Sequence, residues 1–141
     1  MVIIYIPLFI GGWVPRGIYK DNVWTNILGV IMCTAGIIFS AWSRITLGKN
    51  WSGRVMVQQE HALVKTGPYG IVRHPMYAGF LFALFGTALV LADIFGFSWS
   101  VLSAFFMVVK SRQEDKLLAK EFPGDFLKYR QKVKMLLPFV Y

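Results

Sequence analysis

The chain has 141 residues, enough for one domain, with 15 Lys and Arg against 7 Asp and Glu and a net charge of +8. Hydrophobic residues make up 56% of it and charged residues 16%, where soluble proteins carry roughly 45–50% and about 25%. This excludes intrinsic disorder, the single Cys33 excludes a disulfide scaffold, and the apolar excess is too large for so small a globule to bury, which points to a membrane protein with basic polar parts.

The first apolar block, residues 2–14, is broken by Pro7, Gly11 and Gly12. It is short for a span of about 20 residues and lacks the basic leader and cleavage site of a signal peptide. It reads as a short first membrane helix. Residues 23–43 carry no charge and predict a full-length membrane helix. Two further blocks, residues 75–92 and 94–109, are separated only by Asp93, with Gly96 close by. Together they are far too long for one crossing. They predict a tight helical hairpin turning over Asp93–Ser98.

The polar segments are residues 15–22, 44–74 and 110–141. Arg44, Lys49, Arg54, Lys65 and Arg73 lie in the middle segment, and Lys110, Arg112, Lys116, Lys120, Lys128, Arg130, Lys132 and Lys134 lie in the tail. With four spans, these thirteen of the fifteen basic residues share one side, which the positive-inside rule makes cytoplasmic together with both termini. The tail reads as helix, with Ser111 as an N-cap and Glu114 three residues on. Phe122-Pro123-Gly124 predicts a break. Asp125 would cap a second short helix carrying Phe126, Tyr129 and Val133 on one face, and residues 136–139 would return to the membrane surface. The fold expected is thus an all-α integral membrane protein in one domain, residues 1–141. It would have about four transmembrane helices, including a tight C-terminal hairpin, a cytosolic loop 44–74 holding the cofactor, and a cytosolic helical tail 110–141.

Metal chemistry is improbable: His61 and His74 are thirteen residues apart, Cys33 lies within a span, and no paired-ligand spacing occurs. There is no phosphate-binding glycine loop and no serine-nucleophile elbow. The basic residues flank spans, where orientation and anionic headgroups account for them, so a nucleic-acid partner is not expected. The dense polar cluster is QQEHALVKTGPYGIVRHPMY, Gln58 to Tyr77. Gly67-Pro68-Tyr69-Gly70 is a turn by residue type, and Pro75 suits the first turn of a helix. His74 then stands at the helix entrance and Tyr77 one turn in. An ordinary basic loop with interfacial aromatic anchors explains Lys65, Tyr69 and Arg73. It does not explain a His, an Arg and a Tyr grouped on one helix start, where polar groups tend to be functional.

The stretch Leu63-Val64-Lys65-Thr66-Gly67-Pro68-Tyr69, followed by Arg73-His74-Pro75-Met76-Tyr77-Ala78-Gly79, resembles the isoprenylcysteine carboxyl methyltransferase family. So does the tail, in which Glu114-Asp115 precedes Leu118, Phe122, Gly124, Phe126, Tyr129 and Leu137-Pro138-Phe139. The resemblance covers about Gln58 to Tyr141 and extends to phospholipid N-methyltransferases and some membrane sterol reductases. It departs from the family pattern at Asp115 in place of Glu, at Pro123, and at Phe126 in place of Tyr. It implies an integral membrane enzyme using S-adenosyl-L-methionine. By family pattern, Gln58, His61, Ala62, Leu63, Val64, Gly67, Tyr69, Arg73, His74, Pro75, Met76 and Tyr77 line the cofactor pocket. Glu114 with Lys110 or Arg112 faces the methyl acceptor, Glu114 and Arg112 being the catalytic candidates.

Physical chemistry supports that assignment. Arg73 and His74 at a helix N-terminus suit a carboxylate, and the rings of Tyr69 and Tyr77 suit adenine or a sulfonium. Asp115, about 100° around the helix from Glu114, is expected to matter far less. The acceptor implied is a lipid or lipid-linked group, with carboxyl O-methylation of an isoprenylcysteine-like acid foremost. A phospholipid amine N-methyltransferase, a membrane NADPH-dependent reductase and a non-catalytic scaffold stay open at this stage.

Overall fold

A computed structural model describes residues 22–48 and 63–138. The first apolar block and the candidate residues Gln58, His61 and Ala62 lie outside them. The described residues form helices α1 (Val23–Leu47), α2 (Pro75–Leu91), α3 (Ile94–Glu121) and α4 (Asp125–Lys132), with a 3-10 turn at Gly67–Gly70. No strand occurs among them beyond one isolated parallel bridge, Val72 with Lys134.

By length and composition, α1 and α3 are long and apolar enough to cross a membrane. The equally apolar α2 has 17 residues, about 25 Å of helix. These helices turn their apolar side chains outward: Ile45 is 77% exposed and Phe105 63%, a surface suited to lipid. Their packing rests on small residues. Gly29, Gly36 and Ser43 are buried on α1 at seven-residue intervals, and Gly79 and Gly86 face them from α2 at the same interval. A Cβ on Gly79 would lie 2.6 Å from the Gly36 carbonyl oxygen, and one on Gly86 would lie 2.6 Å from that of Gly29. The backbones therefore touch, and Ser40 Oγ donates to the Met76 carbonyl at 3.1 Å. Lipid is as apolar as leucine, so such close approach is how two membrane helices gain dispersion contact.

The expected hairpin forms between α2 and α3, with a shorter turn than the residue types indicate. Ala92 takes the left-handed conformation, φ 51°, and the Asp93 side chain accepts from the Gly96 N–H at 2.6 Å. That cap lets α3 start at Ile94. The separate tail helix expected at Ser111 does not exist. Helix α3 runs unbroken from Ile94 to Glu121, because residues 110–114 hold no Gly or Pro and every one of them continues a helix. Ser111 is therefore mid-helix, fully buried, and its Oγ has no hydrogen-bond partner.

The break at Phe122-Pro123-Gly124 is present, with Gly124 at φ 92° where a side chain would be strained. Gly124, not Asp125, is the N-cap of α4, and it makes no side-chain cap bond. Asp125 instead faces Lys65 across 3.8 Å at the surface. Phe126 and Tyr129 fill one buried face of α4. The chain then returns to the start of α2: the Arg73 N–H donates to the Lys134 carbonyl at 2.8 Å and the His74 N–H to that of Met135 at 3.0 Å. Pro68, Val72, Pro75, Phe126, Tyr129, Met135 and Leu136 are buried here. The Tyr129 hydroxyl locks the turn by donating to the Tyr69 carbonyl at 2.6 Å. Loop and tail thus share one end of the helix bundle, as the charge distribution predicts.

Candidate active site

The site is built where α2 begins and α3 passes it. Pro75 needs no hydrogen-bond donor at the first helical position, so it fixes the start of α2. His74 is left as N-cap and Tyr77 comes one turn later. Helix α3 returns antiparallel and brings Glu114 and Asp115 to the same level, some forty residues away in sequence. The Tyr77 hydroxyl donates to Glu114 Oε1 at 2.6 Å. His74 Nε2 lies 2.8 Å from Asp115 Oδ1, and its Nδ1 lies 3.3 Å from Glu114 Oε2. The rings of His74 and Tyr77 stack at 14° with centroids 5.9 Å apart. Arg73 completes the cluster, donating from Nη2 to Asp115 Oδ2 at 2.8 Å and from Nη1 to the Arg130 carbonyl at 3.4 Å.

Both imidazole nitrogens face carboxylate oxygens, an arrangement satisfied only when both carry protons. Burial disfavours the charged ring, but the hydrogen bonds and charges of Asp115 and Glu114 outweigh it and hold His74 above its ordinary value of 6.5. Burial likewise opposes ionisation of Glu114, where hydrogen bonds from His74 and Tyr77, with the charges of His74 and Lys110, prevail and lower its pKa. Asp115 is lowered too: burial opposes, while His74 and Arg73 decide. Geometry and the direction of each shift favour a cluster of two carboxylates between an imidazolium and a guanidinium.

Lys110 joins on the other side. It lies one turn before Glu114 on α3, with Nζ 5.6 Å above the Tyr77 ring. Tyr69 is half-buried nearby. Burial first, and then the Glu114 charge, push its hydroxyl up to about 12, against a smaller lowering by Arg44.

Sequence reasoning placed Tyr69, Arg73, His74, Pro75, Tyr77, Lys110 and Glu114 in one locality, and the fold brings them together. Arg112 does not join them, because it stands about 160° around α3 from Glu114 and lines a cavity on the other side of the helix, which Arg73 and Asp115 also border. Leu63 and Val64 are half-buried, Gly67 is exposed in the turn and Met76 is half-buried in the first turn of α2. Asp115, expected to matter less than Glu114, is tied firmly into the cluster. It is 6% exposed and binds both Arg73 and His74. The missed signal was a second carboxylate beside Glu114 with an adjacent Arg-His pair awaiting partners. Arg73 and His74, expected to suit a ligand carboxylate, already face carboxylates of the chain itself: Asp115 binds both and Glu114 lies 3.3 Å from His74 Nδ1.

The profile of the Isoprenylcysteine carboxyl methyltransferase (ICMT) family matches residues 28–120, well over half of the chain. The chain belongs to this family. Protein-S-isoprenylcysteine O-methyltransferase B of Arabidopsis thaliana is 31% identical over 124 residues, covering 86% of this chain and 63% of that protein. The Protein-S-isoprenylcysteine O-methyltransferase of Saccharomyces cerevisiae is 35% identical over 122 residues, covering 82% and 49%. Among solved structures, the eukaryotic intramembrane Ras methyltransferase ICMT superposes with a TM-score of 0.78 over 99% of this chain and 49% of that one, at 24% identity. That likeness shows an ICMT membrane fold. The chain spans from about half to just under two thirds of the length of these relatives.

Proposed function

We propose that this chain is an integral membrane methyltransferase that uses S-adenosylmethionine and esterifies the carboxylate of an isoprenylcysteine-like, lipid-linked acceptor, with its site and both termini facing the cytosol. The observation that carries the reading is the Tyr77–Glu114 hydrogen bond at 2.6 Å. In a member of this family, it joins the Arg-His-Pro-x-Tyr helix start to the acidic position of the tail.

The residues present fit a sulfonium cofactor. Two half-buried tyrosine rings border one locality, and aromatic faces attract a cation. Tyr69, Tyr77 and the residues around His74 would hold the cofactor, with Gln58, His61 and Ala62 adding to it from outside the described residues. Bound there, S-adenosylmethionine supplies a methyl group activated by a sulfonium. The acceptor carboxylate is nucleophilic as it arrives, so no strong base is needed, and the ammonium of Lys110 is placed to pair with it. Glu114 fixes the Tyr77 hydroxyl and the imidazolium and balances the Lys110 charge. Its role is to orient both partners, and misplacement by about 1 Å costs on the order of a hundredfold in rate. The outward apolar faces of α1 and α3 allow a prenyl chain to approach from the bilayer.

The test is Glu114→Gln in the reconstituted protein. Gln keeps the shape and loses the charge. Cofactor affinity is expected to stay within about threefold, while methyl transfer to an S-prenylated cysteine free acid falls on the order of a hundredfold. Unchanged turnover, or methylation of an amine lipid in place of the acid, would sink the reading.

A further inference from the structure

The far face of α3 from Glu114 carries a second concentration of charge that the methyl-transfer site does not use. An open cavity of about 660 Å³ lies between α3 and the tail. Six basic residues line it, Arg73, Arg112, Lys116, Lys120, Arg130 and Lys134; Arg73 is paired with the single acid, Asp115, so the groove's excess charge comes from the other five. Arg112, Lys116 and Lys120 repeat every four residues on α3 and so form one ridge. Arg130 comes from α4 and Lys134 from the strand-like return, so the charges converge from three parts of the chain. Lys116, Lys120, Arg130 and Lys134 are all exposed. At about 100° per residue, Arg112 and Lys116 sit about 160° around the helix from Glu114, with Asp115 between Glu114 and Arg112.

Orientation in a membrane does not explain this arrangement. The positive-inside bias needs basic residues near the ends of spans, in any disposition. It does not need them turned toward each other across a concavity, where like charges repel. A cavity of converging cations stands ready for an anion with several acceptor oxygens. Its depth identifies the source. The apolar stretch of α3 ends at Val109, and at 1.5 Å per residue Arg112 stands about 4–5 Å and Lys116 about 10 Å beyond it. The headgroup layer adds about 5–7 Å on each side of the hydrocarbon core, so Arg112 stands within it and Lys116 just beyond its outer edge. Leu137, 59% exposed, follows Lys134 as an apolar contact for the same surface.

We propose that this groove is a binding site for the phosphate of an anionic phospholipid headgroup, separate from the methyl-transfer site. The proposal goes beyond the reading of the chain as a methyltransferase and does not depend on it.

The experiment measures retention of phosphatidylglycerol by the full chain, purified in a zwitterionic detergent, as lipid is titrated and bound copies are counted by native mass spectrometry. The groove variant is Lys116→Gln with Lys134→Gln. Its charge-matched control is Lys128→Gln with Lys132→Gln, two tail positions that do not line the cavity. Wild type and control should bind alike, and the groove variant should bind on the order of tenfold more weakly. Lys116→Arg with Lys134→Arg should restore binding, which separates loss of charge from loss of fold. Affinity for S-adenosylmethionine should be the same in all four proteins.

Equal weakening in groove variant and control would overturn the site in favour of a diffuse positive surface. Loss of S-adenosylmethionine affinity in the groove variant alone would overturn it by making the groove part of the cofactor pocket. Displacement of the lipid by an equal concentration of inorganic phosphate would overturn the lipid assignment and give the groove to a soluble phosphate.

Discussion

Asp115 should be the most damaging single side chain to remove at the end of the bundle where loop and tail meet. The Arg73 and Asp115 side chains are each 8% exposed and meet at 2.8 Å, and Asp115 also holds His74 at 2.8 Å. Asp115→Ala leaves a buried guanidinium without its carboxylate, and an imidazolium with Glu114 alone. Removing one partner of a buried ion pair costs roughly 3–5 kcal/mol, while replacing both with apolar groups is often neutral. For a chain of this size each kcal/mol moves the midpoint by about 3–4 °C, so Asp115→Ala should unfold about 10–20 °C below wild type. Asp115→Asn keeps one acceptor oxygen and should lose less. The assay is thermal unfolding followed by near-ultraviolet circular dichroism in detergent, with Arg73→Met/Asp115→Leu as the double variant. Recovery of more than half of the loss in the double variant is expected. An Asp115→Ala midpoint within about 2 °C of wild type would refute the reasoning, because the pair would then not bind the tail to the helix start.

Tyr77→Phe removes one hydrogen bond to an ionised carboxylate, worth about 1.5–3 kcal/mol, and is expected to weaken S-adenosylmethionine binding by about tenfold or more in a direct titration. Stability should depend on pH in both directions. The raised His74 contributes fully below its ordinary value of 6.5, and that contribution is lost as pH rises through its folded value. The lowered Glu114 and Asp115 contribute fully above their ordinary values of 4.5 and 3.8 and lose that contribution as pH falls through their folded values. Denaturant midpoints measured across pH should therefore be highest between about 4.5 and 6.5; a midpoint still rising above neutrality would contradict the doubly bonded imidazolium. At the α1–α2 contact, Gly79→Ala is expected to cost about 1–3 kcal/mol, since its Cβ would press on the Gly36 carbonyl. Gly70→Ala should be tolerated, because its Cβ would lie 3.4 Å from the nearest neighbour, the Lys65 carbonyl. Equal losses in the two would refute the close-packed account.

The helices were legible because hydrophobic runs, Asp93 and the Phe122-Pro123-Gly124 break each act within a few residues. The hairpin arms 75–92 and 94–109 match the observed α2 and the apolar part of α3 for that reason. The N-cap at Ser111 was not legible as false. A capping residue is also tolerated mid-helix, and only the tertiary placement of Asp115 one turn later shows why the helix continues through it. Pairing of loop with tail was equally hidden. The hydrogen bonds from Arg73 and His74 to the Lys134 and Met135 carbonyls join segments about 60 residues apart through backbone groups, which carry no residue signature. In the site, the motif located Tyr77 and Glu114, whereas composition alone could not say which of two adjacent carboxylates binds what.

The answer to that last question is geometric, and it orders the whole molecule. Three consecutive turns of α3 beyond Val109 present different chemistry at different angles. Lys110 and Glu114 share one face and meet Tyr77; Arg112 and Lys116 lie about 160° around from Glu114 and line the groove beside the tail; Asp115 stands between Glu114 and Arg112. Because Asp115 holds His74 on one side and Arg73 on the other, it connects the methyl-transfer candidate to the basic groove through two adjacent residues of the α2 start. An unbroken α3 is what makes this possible. A helix restarted at Ser111 would lose the fixed angle between Glu114 and Lys116, and the two faces could not be held apart by a single buried carboxylate. The continuity that the sequence reading missed is therefore the feature that keeps the two chemistries on separate sides of one helix.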